Sequence, residues 1–478
     1  MTPAGGPWPT APPTPEDRAA YADAIPRPYW LDQLPNRAPH PRVDGVIDAD
    51  LCIVGGGFTG LWAAVAAKQR DPGRDVVLVE AETIGFGASG RNGGFVSDSL
   101  THGLANGMSR FAGEMEVLNR LGLENFSGFC DDIALLGIDC DLEKTGEITV
   151  ALAPHEQAWM EEEADLLRRF GHEAMVLDAE EMQAEVASPT YVGGVWSRTG
   201  AALVDPGKLA LGLSEAAERL GVRIRERSPV RGLTASGATI EAVTDTGRVR
   251  ADRVLLGTSA YPPLVRRVGR YIAPVYDYVL MTEPLTRHRL DAIGWRGRQG
   301  LSDAGNQFHY YRRTADDRIL WGGYDAVYRF GGPVGPGLDQ REATFARLAQ
   351  HFFTTFPQLE GTRFSHRWGG AIDTCSRFSV FFGTAHRRRV AYAAGYTGLG
   401  VCAARFGATV ALDLLDGHDS PATRLRYVRR KPVAFPAEPL RWAVIELTRN
   451  RLAAADRRQG RRGMWLRALD RLGLGFDS

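Results

Sequence analysis

The sequence predicts an α/β fold, which becomes α+β when the whole chain is considered. Three observations support this prediction. An apolar run at 49–54 ends in glycines, helix-forming residues follow at 61–69, and a second apolar run at 75–80 closes the unit. Strand, glycine-rich turn, helix and strand in this order form a βαβ unit of a parallel sheet. Strand-like, aromatic-rich sequence from Tyr276 to Trp321 predicts a second, mixed sheet. At 478 residues the chain exceeds one compact core, so we expect two domains.

The composition is that of an ordinary globular protein. Hydrophobic residues make up 44% and the formal net charge is zero, which gives no indication of nucleic acid or of an anionic membrane as partner. No segment has the ~20 apolar residues of a membrane-spanning helix, and the Pro-rich first 44 residues do not look like a secretory signal. Five cysteines without CxxC spacing indicate reduced thiols. We therefore expect a cytoplasmic protein, and we predict no metal site.

The turn after the first strand has the pattern GxGxxG. Its six residues are Gly55-Gly56-Gly57-Phe58-Thr59-Gly60, and the glycines of the pattern are Gly55, Gly57 and Gly60. In a dinucleotide-binding unit the first glycine permits a tight turn, the second lets a pyrophosphate approach the backbone, and the third lets helix and strand pack closely. Glu80 ends the second strand, where a carboxylate accepts hydrogen bonds from ribose hydroxyls. An acid here suits an unphosphorylated ribose, which favours FAD or NAD over NADP.

A second glycine-rich loop follows Glu80 directly. Its glycines are interleaved with Ser, Arg and Asn, which indicates backbone packed closely against a large flat group. In this loop the chain resembles the D-amino-acid oxidase and glycine oxidase family of flavoenzymes. Gly87–Gly94 is most similar to the gamma-glutamylputrescine oxidase branch of that family. The resemblance covers roughly 45–425 and continues, in the family's order, through 205–222, 246–254, 282–284, 318–323, 368–370 and 395–401.

The resemblance implies a Rossmann-like FAD-binding domain interleaved with a mixed β-sheet substrate-binding domain. Besides the GxGxxG residues, the implied cofactor contacts are Glu80, Ala81, Ala88, Ser89, Gly90, Arg91, Asn92, Gly93, Gly94, Val230, Thr258, Gly395, Gly398, Leu399, Gly400 and Val401. Some relatives link the flavin through Cys or His, and the loop at 87–94 has neither. Cys375 lies near the linking position of other relatives, but Gly370 lies closer to it. We therefore expect noncovalent FAD.

The order of these segments predicts discontinuous domains. An N-terminal arm spans 1–44, the FAD-binding domain 45–105, 196–270 and 365–425, the substrate domain 106–195 and 271–364, and an arginine-rich helical extension 426–478. Residues 1–24, rich in Pro, Ala and Gly, are predicted to be mobile, whereas Tyr29 and Trp30 should lie on the main body. We expect the extension to pack on the enzyme with its arginines in water, with contact to a membrane surface or a partner subunit as the alternative.

The resemblance also implies the reaction, the oxidation of a primary or secondary amine. A hydride leaves the α-carbon for flavin N5, the imine hydrolyses to an aldehyde or oxo acid, and oxygen, giving hydrogen peroxide, or another acceptor takes the electrons. Tyr276, Tyr310 and Trp368 are the candidate catalytic residues. Phe95, Tyr278, His309 and Tyr311 are further aromatic candidates, and core packing explains each of these side chains equally well.

Two arginines are candidates for holding a substrate carboxylate. Arg312 or Arg313 could form such a pair, although an exposed strand arginine is the favoured interpretation. The lack of a well-placed arginine favours an amine or polyamine-like substrate over an amino acid. Two other functions stay open: an NAD(P)H-dependent flavin monooxygenase or reductase, although no second GxGxxG is found, and a redox-silent flavoprotein subunit.

Overall fold

A computed structural model describes residues 8–475, in which the chain forms nineteen strands and fifteen helices. The strands are β1 (Gly45–Val54), β2 (Val76–Val79), β3 (Phe95–Ser97), β4 (Glu147–Ala151), β5 (Ala174–Leu177), β6 (Gly193–Ser197), β7 (Ala201–Leu203), β8 (Arg223–Arg225), β9 (Gly232–Ser236), β10 (Thr239–Val243), β11 (Gly247–Leu256), β12 (Ala273–Thr282), β13 (Gly300–Asp303), β14 (His309–Arg313), β15 (Ile319–Gly323), β16 (Val327–Tyr328), β17 (Phe364–Thr374), β18 (Phe381–Ala385) and β19 (Val390–Ala394).

The helices lie between these strands and at both ends of the chain. They are α1 (Pro15–Ala19), α2 (Tyr29–Asp32), α3 (Phe58–Arg70), α4 (Leu104–Phe111), α5 (Met115–Leu135), α6 (Gln157–Arg169), α7 (Ala179–Glu185), α8 (Pro206–Arg219), α9 (Arg287–Ile293), α10 (Glu342–Thr355), α11 (Gly400–Asp416), α12 (Pro421–Arg424), α13 (Arg426–Arg429), α14 (Leu440–Asp456) and α15 (Met464–Arg471).

The first sheet has the strand order β18-β19-β11-β1-β2-β8, with β10 and β9 added beside β11. β1 runs parallel to both β11 and β2. Its last four residues, Leu51–Val54, are buried because helices cover one face and further apolar side chains cover the other. Such continuous apolar runs are typical of a parallel sheet buried on both sides. The predicted βαβ unit and the α/β class are confirmed.

The second sheet has the strand order β16-β12-β15-β14-β13-β4-β6-β5, and β17 pairs with β12 along most of its length. It is mixed, because β13 and β4 are parallel while most neighbouring strands are antiparallel. One face carries Trp321 and Tyr311, which pack against Phe352 and Phe356 at the end of α10. The opposite face carries Tyr310, which lies against the second glycine-rich loop.

The chain passes between the two sheets several times. Strands of the first sheet lie in 45–79, 223–256 and 381–394, and strands of the second lie in 147–197 and 273–374. β17 belongs to the second sheet along its whole length. We therefore propose that the last FAD-binding segment begins after Thr374, and we keep the other predicted boundaries as proposals.

The N-terminal arm is attached to the body. Tyr21 is 1% exposed and bonds Glu342 through its hydroxyl, and Trp30 is also 1% exposed. The prediction of a mobile segment over 1–24 is therefore wrong for 8–24, because apolar side chains between the prolines find a surface to cover. The first seven residues of the segment predicted to be mobile lie outside the range that the structure describes. The placement of Tyr29 and Trp30 on the main body is confirmed.

The arginine-rich extension is also tied to the body. Asp456 accepts hydrogen bonds from the backbone N–H groups of Asn306 and Gln307, and Tyr328 donates to Glu438 at 2.6 Å. Exposed arginines of the extension include Arg451, Arg457, Arg458 and Arg461. Within residues 8–475, every helix is too short or too polar to cross a bilayer.

Candidate functional site

The turn between β1 and α3 has no room for side chains at two of its glycines. Gly55 has φ +113°, and a Cβ there would lie 2.5 Å from the carbonyl oxygen of Gly257 at the end of β11. A Cβ on Gly60 would overlap the carbonyl oxygen of Gly55. Both positions need glycine, for backbone conformation and for close approach respectively. The roles predicted for them from the sequence are thus matched by the local geometry.

The N-terminus of α3 lies at this turn. Gly57 precedes the helix and supplies no side-chain cap. The Phe58 N–H donates to Ser89 Oγ at 2.9 Å, and Thr59 Oγ1 donates to the Tyr396 hydroxyl at 2.9 Å. The start of α3 therefore meets both the second glycine-rich loop and the C-terminal glycine loop. Backbone N–H groups at a helix N-terminus favour an anion such as a pyrophosphate.

Glu80 follows β2 and lies beside the same turn. Its Oε2 accepts the Gly56 N–H at 2.6 Å, and its Oε1 accepts the Glu82 N–H at 2.9 Å. Burial raises the pKa of this carboxyl group against the effect of these hydrogen bonds. A carboxylate has about four acceptor positions, so both oxygens keep acceptor capacity for ribose hydroxyls. Ala81 continues the chain from this anchor.

The sequence did not single out Glu226, a buried carboxylate directly after β8. It forms an ion pair with Arg37 of the N-terminal arm and accepts the backbone N–H groups of His40 and Ile84, both at 2.7 Å. Burial opposes ionisation, but these hydrogen bonds outweigh it and lower the pKa of Glu226. Glu226 thereby joins the arm to the loop after Glu80. An acid at the end of a predicted strand was the available sequence signal.

Two further predicted cofactor residues, Thr258 and Val230, lie in loops that follow strands of the first sheet. Thr258 follows β11 directly after Gly257, whose N–H donates to the Val54 carbonyl at 2.9 Å. Val230 lies between β8 and β9 and is half-buried against the apolar cluster on that face. Both residues therefore lie near strand ends of the first sheet.

Internal hydrogen bonds hold the second glycine-rich loop in shape. Residues Ala88–Gly90 form one 3₁₀ turn. Asn92 Nδ2 donates to the carbonyls of Ala88 and Ser89, and Asn92 Oδ1 accepts the Gly94 N–H at 2.8 Å. The Asn92 side chain thus stabilises the loop from within. The resemblance implied only a cofactor contact for this residue.

Two buried tryptophans hold successive carbonyls of this loop from outside. Trp30 Nε1 donates to the Asn92 carbonyl and Trp368 Nε1 donates to the Arg91 carbonyl, both at 2.9 Å. The Arg91 guanidinium bonds the carbonyls of Phe86 and Gly369. The loop is therefore fixed to the arm and to β17 of the second sheet.

The loop lies directly against the aromatic face of the second sheet. A Cβ on Gly93 would lie 2.8 Å from the Tyr310 ring, and Gly94 has φ +78°. Phe95 then contacts Tyr310 edge to face, with ring centroids 5.9 Å apart. Glycines are needed here because backbone and ring are in contact.

The C-terminal glycine loop, Gly395–Gly400, is anchored by a buried acid. Asp373 Oδ2 accepts the Gly395 N–H at 2.7 Å, and the backbone of Tyr396 and Thr397 also bonds this carboxyl group. Burial raises the pKa of Asp373 to about 6 despite these bonds. Gly398 has φ +93° with open space around it, Leu399 precedes α11, and Val401 lies in its first turn.

Strand alternation divides the aromatic candidates between two faces of the second sheet. Tyr310 and Trp368 share the face that meets the glycine loop, together with Phe95 from the loop itself. The opposite face packs on α10 and carries Tyr276, Tyr278, His309 and Tyr311. The structure therefore does not bring Tyr276 together with Tyr310 and Trp368. Trp368 is 0% exposed, which makes it a support for the loop.

Tyr310 has a buried acidic partner that the sequence did not reveal. Its hydroxyl donates to Asp277 Oδ2 at 2.5 Å. Burial raises the pKa of Asp277 to about 6, and the bond from Tyr310 acts in the opposite direction. Above that pH the carboxylate accepts the hydrogen bond from the Tyr310 hydroxyl, and the hydroxyl oxygen keeps lone pairs for another donor.

The two candidate arginines are engaged elsewhere. Arg312 is 1% exposed, donates to the Val204 carbonyl and lies 5.7 Å from the centroid of the Trp30 ring. Arg313 pairs with Asp317 at 2.5 Å and donates to the Trp295 carbonyl. Arg313 is therefore committed to partners within the protein, whereas Arg312 keeps a buried Nε without a hydrogen-bond partner on the same strand face as Tyr310.

These parts fit an FAD molecule. The glycine turn at 55–60 and the start of α3 would hold its pyrophosphate, Glu80 would hold a ribose, and residues 89–94 would line the path to the second sheet. The fit rests on the glycines at 55, 60 and 93, where a Cβ would collide with the carbonyl oxygens of Gly257 and Gly55 or with the Tyr310 ring, as expected of a turn that leaves its backbone to a dinucleotide. Fold and site together define a dinucleotide-binding protein whose cofactor domain faces a second, aromatic sheet.

Comparison with known proteins identifies the family. The family model described as FAD dependent oxidoreductase (DAO) matches residues 50–414, and the chain belongs to this family. It is therefore an FAD-dependent oxidoreductase, and the resemblance seen in the sequence is confirmed. Gamma-glutamylputrescine oxidoreductase of Escherichia coli is 32% identical over 402 residues, covering 81% of this chain and 88% of that protein.

Two further comparisons extend over similar lengths. The probable oxidoreductase OrdL of Haemophilus influenzae is 28% identical over 409 residues, covering 84% of this chain and 90% of that protein. The crystal structure of glycine oxidase from Geobacillus kaustophilus matches with a TM-score of 0.66 at 20% identity, covering 78% of this chain and 96% of that one. This structural likeness shows the fold.

Proposed function

We propose that this chain oxidises a primary or secondary amine with noncovalently bound FAD. The flavin supplies the hydride acceptor at N5 for the substrate α-carbon, the resulting imine hydrolyses to an aldehyde or oxo acid, and oxygen or another acceptor takes the electrons. The protein orients the amine, surrounds it with aromatic side chains and keeps it in the neutral form. One relative, named gamma-glutamylputrescine oxidoreductase, is consistent with this class of substrate.

The observation that carries the proposal is the Tyr310–Asp277 pair beside Gly93. The Tyr310 hydroxyl donates a hydrogen bond to Asp277, so its oxygen can accept an N–H from an amine. Its ring and that of Phe95 form the aromatic wall, and Trp368 holds the loop behind it. We leave Tyr276 out of this wall because its strand position directs it toward α10.

The engaged arginines favour an amine over an amino acid. Arg313 is bound within the protein, and the buried Arg312 already donates to the Val204 carbonyl, although its Nε has no hydrogen-bond partner; an amino acid would need a cation placed to pair with both oxygens of its carboxylate. The proposal therefore extends to amines that lack a carboxylate next to the reacting carbon.

Noncovalent attachment is supported by the state of Cys375. Its thiol is buried and donates to the Ser379 carbonyl, and burial raises its pKa. A thiol of this kind is a poor nucleophile. The five cysteines are all unpaired and buried, which supports a reducing compartment, and we propose the cytoplasm.

A peroxide assay over polyamines, N-methyl amino acids and γ-glutamyl amines tests the substrate class. With the best amine, Tyr310→Phe should lower kcat/KM about fivefold, since a lost hydrogen bond is worth ~1 kcal/mol and the amine loses its acceptor. Tyr311→Phe is the matched control, because its side chain lies on the opposite face of the same strand. Equal effects of the two substitutions would contradict the assignment of Tyr310.

A further inference from the structure

A cavity of about 160 Å³ lies next to the flavin-binding loop. It is enclosed by residues 97–104 after β3, by α5 and α6, and by β4 and β6 of the second sheet. Part of its lining is apolar, from Leu100, Leu104, Met115 and Leu118. Leu167, Val195 and Ala201 add to the apolar part, and most of the other side chains in the lining are polar. The proposed reaction at Tyr310 uses none of these residues.

The polar lining is acidic. Asp98, Glu147 and Glu163 contribute carboxyl groups, and the lining, all within the described residues 97–201, includes no Lys or Arg. Burial raises the pKa of Asp98 to about 7 and raises the pKa values of Glu147 and Glu163. Burying unpaired carboxylates is costly, so a cation in the cavity would stabilise their ionised forms.

Asp98 and His172 face each other without a hydrogen bond. Asp98 Oδ2 and His172 Nδ1 are 3.7 Å apart, their side chains are 12% and 4% exposed, and neither atom has a hydrogen-bond partner. Burial lowers the pKa of His172 against the effect of a hydrogen bond to the Thr199 backbone. Asp98 Oδ2 and His172 Nδ1 are therefore two buried polar atoms without a hydrogen-bond partner in the lining of the cavity.

The cavity lies on the same face of the second sheet as Tyr310. Ser302 is paired with Tyr310 across β13 and β14, and its hydroxyl donates to Glu147 on β4 at 2.8 Å. Neighbouring strands are ~4.8 Å apart, and Glu147 pairs with Gly300, two residues from Ser302, so two strand spacings and about 7 Å along the strand place Glu147 roughly 12 Å from Tyr310. Phe95 contacts Tyr310, and its ring lies 2.5 Å from where a Cβ of Gly300 would be. Phe95 thus contacts Tyr310 and also lies close to β13, which is next to the cavity-lining strand β4.

We propose that this cavity binds the second ammonium group of a diamine or polyamine substrate whose first amine lies beside Tyr310. A primary ammonium has three N–H donors, which would serve Asp98 Oδ2 and His172 Nδ1, while Glu147 and Glu163 would add negative charge from farther along the lining. The apolar side chains would contact the methylene groups of the substrate. Within residues 8–475, no three His, Cys, Asp or Glu side chains converge to hold a metal ion, so the spread of these acids suits an organic cation. The inference rests on the proposed amine substrate.

Calorimetric titration of the dithionite-reduced holoenzyme measures binding without turnover. We expect α,ω-diaminooctane to bind more tightly than octylamine, and Asp98→Asn to weaken diamine binding at least about tenfold while octylamine binding stays unchanged. Glu147→Gln, on a different element, should have the same selective effect. Glu161→Gln is the control, because Glu161 is exposed on α6 outside the cavity.

The outcomes separate the two proposals. Equal diamine affinity in wild type, Asp98→Asn and Glu147→Gln would overturn the cavity assignment, even if amines are oxidised. Selective loss of diamine binding in both variants supports it. If that loss is found but no amine is oxidised by the untreated enzyme, the ammonium site is retained and the proposed oxidation is overturned.

Discussion

Gly60 packs against the carbonyl oxygen of Gly55, and this contact decides what the turn after β1 tolerates. We expect Gly60→Ala to lower FAD affinity by about fivefold to 150-fold, because forcing a methyl group into a filled site costs ~1–3 kcal/mol. FAD content after purification and fluorescence titration of the apoprotein measure the effect. Gly232→Ala is the control, since a Cβ at Gly232 in the same sheet meets nothing within 4 Å. Full FAD affinity in Gly60→Ala would contradict the assignment.

Asp277 gives the proposed reaction a pH dependence. Burial raises its pKa to about 6, so the group is protonated below that pH and ionised above it. A protonated Asp277 can donate to the Tyr310 oxygen and occupy the lone pair assigned to the amine. We therefore expect kcat/KM to fall as the pH drops through about 6. Asp277→Asn should remove this fall, and an unchanged profile in Asp277→Asn would assign it to another group.

At the scale of elements, the glycine loop depends on an arm and a strand that are far from it in sequence. Trp30 and Trp368 each donate one hydrogen bond to a loop carbonyl. We expect Trp30→Phe and Trp368→Phe each to speed FAD dissociation by about twofold to tenfold, the effect of one lost hydrogen bond. Stopped-flow transfer of FAD to an apoflavoprotein trap measures the rate.

Trp295→Phe is the matched control for these two substitutions. Trp295 is equally buried and donates to the Gln299 carbonyl at 3.2 Å, in the segment between α9 and β13. Its removal should lower thermal stability without changing FAD dissociation. Faster FAD loss in all three variants would indicate general loosening and not a specific hold on the loop.

The sequence predicted the parts of the site whose requirements are local. Gly55 and Gly60 need glycine because of contacts within one turn and its neighbouring strand, and the spacing to Glu80 reflects a single βαβ unit. The face on which an aromatic side chain lies is not local. From the sequence, Tyr276 and Tyr310 are both aromatic residues in predicted strands. The pairing of β12 with β15 and β17 decides which of the two side chains lies on the face that meets α10.

Partners that come from distant segments were missed for the same reason. Asp277 reaches Tyr310 across β15, and Arg37 reaches Glu226 from the arm. No periodicity or spacing within one segment contains such pairs. The acidic cavity belongs to this group as well, because Asp98, Glu147 and His172 meet only when three separate parts of the chain pack together.

At the scale of the whole molecule, the arm holds the two sheets together. Ile25 pairs with His366 of β17, Trp30 bonds the glycine loop, and Arg37 bonds Glu226 beside the first sheet. The cofactor loop, the substrate face and the acidic cavity therefore share one framework. This explains how a dinucleotide-binding unit and an aromatic sheet can act on one substrate.

Anaerobic reduction of the purified enzyme is the most direct test of the proposed amine oxidation. The FAD-loaded protein is mixed with an amine or with NADPH in the absence of oxygen, and the visible absorption of oxidised flavin is followed. We expect an amine to bleach the flavin and NADPH to leave it unchanged. Bleaching by NADPH alone would contradict the account in favour of a reductase or monooxygenase, and a flavin that neither reagent bleaches would indicate a redox-silent subunit.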